Sequence, residues 1–342
     1  ASGQVSMWKV PSLQPIGDLR GHDQSALTLA WHPSRSELAT GGQDGVVRLW
    51  GFDSVVERAV LPVAERGSWV EHLAWSPDGR FLACDLMAPT GDRDVWVLDL
   101  KRELRQRLTQ AKAGTREWVP SWTPDSKRVV FSANRKGRAN DGEFYVRSAD
   151  GTGSDEVLLD SDLRKHHSQI SMDGSLLAFD GGAATNTDIY LVELNGSDRT
   201  PRPFLASSFS EGQPQFSPDG KLLAYVAADT GNLEVYVHTV KGKAQRWRIS
   251  KSGGVSPRWK NDGKEIVYLA ADGYIVSVPV KGTGESFEPG AGTNLFLTRI
   301  LGLASTTHFA MSPDAQRILL PAANMQPDWP LTVTVNWGAP KQ

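Results

Sequence analysis

A chain of 342 residues with 37 basic and 39 acidic side chains, net charge −2, has no polyelectrolyte character to recommend nucleic acid as a partner. No apolar run approaches the roughly 18 residues of a membrane span, no secretory leader is visible, and a single cysteine, Cys84, excludes an intrachain disulfide. Its 33 glycines and 20 prolines punctuate the sequence into many short segments with no surviving helical periodicity, which points to an all-β protein.

In chain order, residues 5–9 and 16–20 read as two strands. Then a turn phrase sets in. Ser-Pro-Asp-Gly stands at Ser76–Gly79 and Ser217–Gly220, with degraded copies starting at His32, Thr123, Ser171, Lys260 and Ser312, so seven copies recur at intervals of 43 to 52 residues. Pro presets φ at the second position of a turn, and Asp and Gly accept the conformations of the next two positions, so each copy is a hairpin between two strands. Residues 212–239 show the unit: Gln215-Phe216, the phrase, Leu222–Tyr225, a polar turn at Ala228–Asn232, then Val235-Tyr236-Val237. A fourth, more polar strand, Gln245–Ile249, completes it.

A repeat of this length with four strands per copy predicts an all-β, seven-bladed β-propeller of four-stranded antiparallel blades. The blades start near residues 27, 71, 118, 166, 212, 255 and 307, and 1–342 reads as a single domain. Trp31, Trp75, Trp122, Ile170, Phe216, Trp259 and Met311 precede the seven phrases. Large apolar side chains there suit packing between neighbouring sheets, so they are expected in the core. Cys84 falls in the predicted strand Phe81–Leu86 and is expected to be a buried, inert thiol. The last copy supplies only three strands, so its outer strand must come from the N-terminal segment 4–20, where two strands compete for one place. The chain opens at Ala1-Ser2-Gly3 without a methionine, as a processed or excised piece would.

Residues 19–50 resemble a WD repeat: Gly21-His22, Leu38–Gly45 reading Leu-Ala-Thr-Gly-Gly-Gln-Asp-Gly, and Val47-Arg48-Leu49-Trp50. The resemblance implies that His22, Thr40, Asp44 and Trp50 form a hydrogen-bonded chain bracing the blade. From about residue 70 onward the chain resembles instead the TolB-like propeller at the C-terminus of bacterial membrane-anchored serine/threonine kinases. Asn134–Gly137, Glu211–Gly220, Pro257–Glu265 and the ending Leu331–Trp337 carry that likeness. It implies an extracytoplasmic sensor or scaffold module, with a kinase domain as partner in a longer protein. Within these residues there is no Gly-rich phosphate loop, no His-Arg-Asp and no Asp-Phe-Gly, so this chain phosphorylates nothing by itself.

Propellers meet their ligands at the central channel or the rim loops, where the inner strands begin. Four positions before the first residue of each turn phrase stand Thr28, His72, Val119, His167, Gln213, Ser256 and His308. His72, Trp118, His166, His167, Glu211, Gln213 and His308 are therefore the candidate ligand contacts. The favoured function is a non-catalytic, monomeric module that recognises a protein, a peptide or a small ligand without a cofactor. The alternative is a metal-dependent lyase or hydrolase with a divalent metal held by His72, His167 and His308, loosely similar to propeller polysaccharide lyases around His166-His167. A Gly-x-Ser-x-Gly elbow is absent from the sequence.

Overall fold

A computed structural model describes residues 3–9, 14–51, 56–63, 67–110, 112, 114–136, 143–161, 163, 165–183, 186–298, 309–312, 317–320 and 331–335. The chain divides into two compact units, Ala1–Ser161 with Ala310–Gln342, and Asp162–Phe309. Among the described residues there are seven sheets.

The first unit holds three four-stranded antiparallel sheets, each a meander in sequence order. They are Ala26–Trp31, Glu37–Gly42, Val46–Gly51, Val56–Pro62; Trp69–Trp75, Phe81–Met87, Arg93–Asp99, Leu104–Arg107; and Glu117–Trp122, Arg128–Ala133, Glu143–Ser148, Glu156–Leu159. Its fourth sheet joins the chain ends, in the order Gln14–His22, Gly3–Lys9, Leu331–Val335, Arg317–Leu320, Ala310–Met311. This corrects the expectation of one closing strand in a four-stranded blade. Both N-terminal strands enter the sheet, and Gly3–Lys9 runs parallel to Leu331–Val335, with Val5 opposite Leu331. The two strands do not compete, because one pairs the C-terminal strand and the other then covers its free edge.

The second unit has two similar meanders, Lys165–Ile170, Leu176–Ala183, Asn186–Glu193, Arg202–Leu205 and Glu211–Phe216, Leu222–Ala227, Glu234–Thr239, Arg246–Arg248. In its third sheet, Gly254–Trp259, Glu265–Ala270 and Tyr274–Lys281 are followed by two short segments that share the outer place. Glu288–Pro289 pairs one end of Tyr274–Lys281, and Thr293–Leu297 the other.

The turn phrase works through its hydroxyl and its carboxylate. In each of Ser76, Thr123, Ser171 and Ser217 the hydroxyl donates to the Asp two residues on at 2.6 Å. The same oxygens accept the backbone N–H five residues on, from Phe81, Arg128, Leu176 and Leu222. The fourth position sits in the left-handed region, with φ of 71° at Gly79 and 69° at Gly220, where glycine meets no Cβ penalty.

Sheets pack through the aromatic column. Trp31, Trp75, Trp122, Phe216 and Trp259 are buried. The indoles also reach back one repeat: Trp75 Nε1 donates to the Ala30 carbonyl at 3.0 Å, Trp122 to Ala74 at 3.0 Å and Trp259 to Gln215 at 3.1 Å. Phe216 has no such donor; there the Gln169 side-chain oxygen accepts the Phe216 backbone N–H at 2.5 Å. Apolar residues of successive sheets then merge into shared clusters, such as Val47, Leu49, Val70, Trp75 and Leu82. Cys84 is buried in that cluster, and burial pushes its thiol up, away from the reactive thiolate.

Candidate functional site

The first strand of a blade cannot run straight through its beginning. Register shifts fall between Val70 and His72, Trp118 and Ser121, Lys165 and Ser168, Gly212 and Gln215, and Val255 and Arg258. Each bulge contains or abuts the column residue. Val119, Gln213 and Ser256 sit there at φ of 50°, 55° and 56°, a conformation that costs a non-glycine residue of order 1–2 kcal/mol unless its surroundings hold it. A bulge also strips backbone N–H groups of ladder partners.

Two buried aspartates supply those partners. In the first unit, Asp85 on Phe81–Met87 is fully buried. It accepts the His72 backbone N–H at 2.9 Å, the His72 Nδ1–H at 2.7 Å and, from the next blade, the Val119 N–H at 3.2 Å. Arg93 stands 3.8 Å from the same carboxylate and pairs with Glu71. In the second unit Asp180, on Leu176–Ala183, repeats the pattern. It takes the His167 N–H at 2.5 Å, His167 Nδ1–H at 2.9 Å and the Gln213 N–H at 3.1 Å. Gln213 extends the chain, its side-chain oxygen accepting the Ser256 N–H at 2.6 Å. A Cβ on Gly212 would lie 2.7 Å from Asp180 Oδ2, so only glycine lets the carboxylate approach this closely.

The structure therefore engages the candidate contacts unequally. His72 and His167 turn Nδ1 to an aspartate, while 42% and 27% of their side chains remain exposed. Trp118 is half-buried and follows Glu117, whose carboxylate binds Arg135. Glu211 and Gln213 are buried. Glu211 accepts the Ser207 hydroxyl, and burial holds its carboxyl above the usual range. His166 lies on Lys165–Ile170, and His308 lies outside the described residues. Among the described residues no three His, Cys, Asp or Glu side chains converge as a metal would require, and the expected set included His308.

His22, Thr40, Asp44 and Trp50 form one continuous relay. Trp50 Nε1–H donates to Thr40 Oγ1 at 2.9 Å, Thr40 Oγ1 lies 2.7 Å from His22 Nε2, and His22 Nδ1 lies 2.9 Å from Asp44 Oδ1. One set of protons satisfies all three: indole to hydroxyl, hydroxyl to Nε2, and Nδ1–H to carboxylate. Burial opposes the charge on Asp44, but the His22 bond and charge together with the Asp23 and Val46 backbone N–H groups outweigh it and hold the carboxyl below its ordinary value. A Cβ on Gly42 would stand 2.6 Å from His22 Nδ1, so this glycine makes room for the ring. Asp85 and Asp180 belong to no motif of the sequence. Their signal is an acid inside an apolar second strand, Leu82-Ala83-Cys84-Asp85-Leu86 and Leu177-Ala178-Phe179-Asp180, where a lone carboxylate needs donors.

Comparison with known proteins agrees with this geometry. Residues 13–51 match the WD domain, G-beta repeat family. The chain is similar to WD repeat-containing protein slp1 of Schizosaccharomyces pombe, 25% identical over 188 residues, or 55% of this chain. Those residues span 36% of that relative's length. Among solved structures it resembles the β-propeller domain of Cps50 (Swd1) from Myceliophteria thermophila, with a TM-score of 0.60 and 11% identity over 88% of this chain and 95% of the other. WD-repeat propellers usually act as protein-interaction scaffolds. The chain has the β-propeller fold, and its residues 13–51 are a WD40 repeat.

Proposed function

We propose that this propeller is a non-catalytic binding module that recognises a protein or peptide at the inner-strand starts and adjoining rim loops. The observation that carries the reading is the pinning of the bulges. Asp85 fixes the backbone of His72 and of Val119, beside half-buried Trp118, so an imidazole and an indole are offered from backbone already ordered. Preorganised surfaces of this kind lose little conformational entropy on binding. Their acid–base groups are spent on holding the fold, which favours recognition over chemistry. The likeness from residue 70 onward to TolB-like kinase propellers supports a finer version, the sensor or scaffold part of a bacterial signalling protein.

The test is selection of displayed peptides on the full chain, followed by affinity measurements with His72→Ala and Trp118→Ala. Binders that weaken tenfold or more on variants with unchanged Tm support the reading. Binders indifferent to substitutions at every inner-strand start would place recognition elsewhere and sink it.

A further inference from the structure

Arg258 lies on the first strand of its blade, Gly254–Trp259, one residue before the aromatic column. At the matching place the other blades have Ala30, Ala74, Ser121, Gln169, Gln215 and Ala310, all neutral. Side chains alternate along a strand, so Arg258 leaves the sheet on the face opposite Trp259, whose indole bonds back to Gln215. Its guanidinium stands 5.9 Å from the centre of the buried Phe309 ring and donates to the Pro257 carbonyl at 2.8 Å.

Among the described residues no carboxylate pairs with Arg258, and desolvation alone acts on it, pushing it down to about 10. It remains charged at neutral pH. The residue is nevertheless partly accessible to solvent. Other arginines packed into the protein have acids beside them, as Arg48 has Glu57, Arg93 has Glu71, and Arg135 has Glu117 and Asp155. A desolvated charge without a partner is a standing cost to the fold, and a fork of five N–H donors with one internal bond is shaped to take two oxygens of one anion.

We propose that Arg258 is the anchor of an anion-binding site, whose ligand lays a carboxylate or phosphate across the guanidinium beside the Phe309 ring. The site rests on the binding-module reading and deepens it: part of the ligand recognised by this propeller is an oxyanion.

The experiment is thermal unfolding of the full chain at constant ionic strength, titrated with inorganic phosphate in one arm and acetate in the other. Wild type, Arg258→Met and Arg258→Lys are compared. Wild type is expected to show a saturable rise in Tm with at least one anion. Arg258→Met should start above wild type in anion-free buffer and show no such rise, and Arg258→Lys should show a weaker one. A response to phosphate alone assigns a phosphoryl ligand, and a response to acetate a carboxylate. An equal rise in Arg258→Met, or none in wild type, overturns the site, and the wild-type arms decide even where a variant does not fold. Peptide binders that still depend on His72 and Trp118 would then leave the binding-module reading standing without its anion.

Discussion

Asp180 Oδ2 accepts the backbone N–H of Gln213, 33 residues further on, at 3.1 Å. The acceptor belongs to the second strand of one blade and the donor to the bulged first strand of the next. Asp85 does the same for Val119 across 34 residues at 3.2 Å. These bonds tie neighbouring sheets together by something more directional than apolar packing, and they hold open the bulges from which the candidate contacts project.

Removing the carboxylate should be costly. Asp180→Ala leaves the His167 and Gln213 N–H groups without acceptors, and each buried orphan costs about 1–3 kcal/mol. Urea unfolding should show a loss of roughly 2–5 kcal/mol. Hydrogen exchange at the Gln213 amide should accelerate more than at amides in the middle of Leu222–Ala227. An Asp180→Ala protein with the wild-type urea midpoint would show that the aspartate is ornamental.

His32 replaces the serine of the first turn phrase and does its work with a ring. Nδ1 accepts the N–H groups of Ser34 and Arg35 at 3.1 and 3.0 Å, and Nε2–H donates to the Gly79 carbonyl at 3.1 Å. Only the neutral ring can do both. Burial, with the nearby Arg35 charge, holds the group below its ordinary value. The folded protein thus binds fewer protons here than the unfolded chain, whose histidine titrates near about 6.5. The stabilisation is present above that pH and lost as pH falls through the folded value. His32→Ser restores the common phrase and has no such titration. Its stability deficit against wild type, measured by thermal unfolding, should shrink between pH 7.5 and 5. A deficit constant with pH would contradict the neutral-ring assignment.

What the sequence makes legible is what is local. The turn phrase acts within five residues, from Ser217 to Leu222, and the aromatic column needs only a fixed offset from it. The parallel pairing of Gly3–Lys9 with Leu331–Val335 joins opposite ends of the chain, and no local pattern distinguishes it from an antiparallel one. The histidine column shows a similar limit. His72 and His167 look like free ligands because their acceptors, Asp85 and Asp180, lie 13 residues away on the next strand. Nor does a valine announce a φ of 50°, since Val119 is held there by the Asp85 carboxylate rather than by its own preference.

Glu143 marks a place where the repeat is incomplete. It opposes Ala133, which opposes Glu117, and the same row recurs as Glu234, Ala227 and Glu211. Arg248 answers Glu234 from opposite Tyr236, and Arg107 answers Asp94 from opposite Trp96. The corresponding residue opposite Tyr145 is Val157, which is exposed. Glu143 is 1% exposed, and among the described residues neither of its carboxylate oxygens accepts a hydrogen bond. Val157→Arg should supply the absent guanidinium from the surface and stabilise the protein by about 1–3 kcal/mol, the range for a hydrogen bond to a charged group. In a Glu143→Gln background the same substitution should gain close to nothing, so the double-mutant cycle measures the pair itself. Equal gains in both backgrounds would mean that the new arginine acts elsewhere, for instance on Asp155, and that the Glu143 carboxylate is satisfied as it stands.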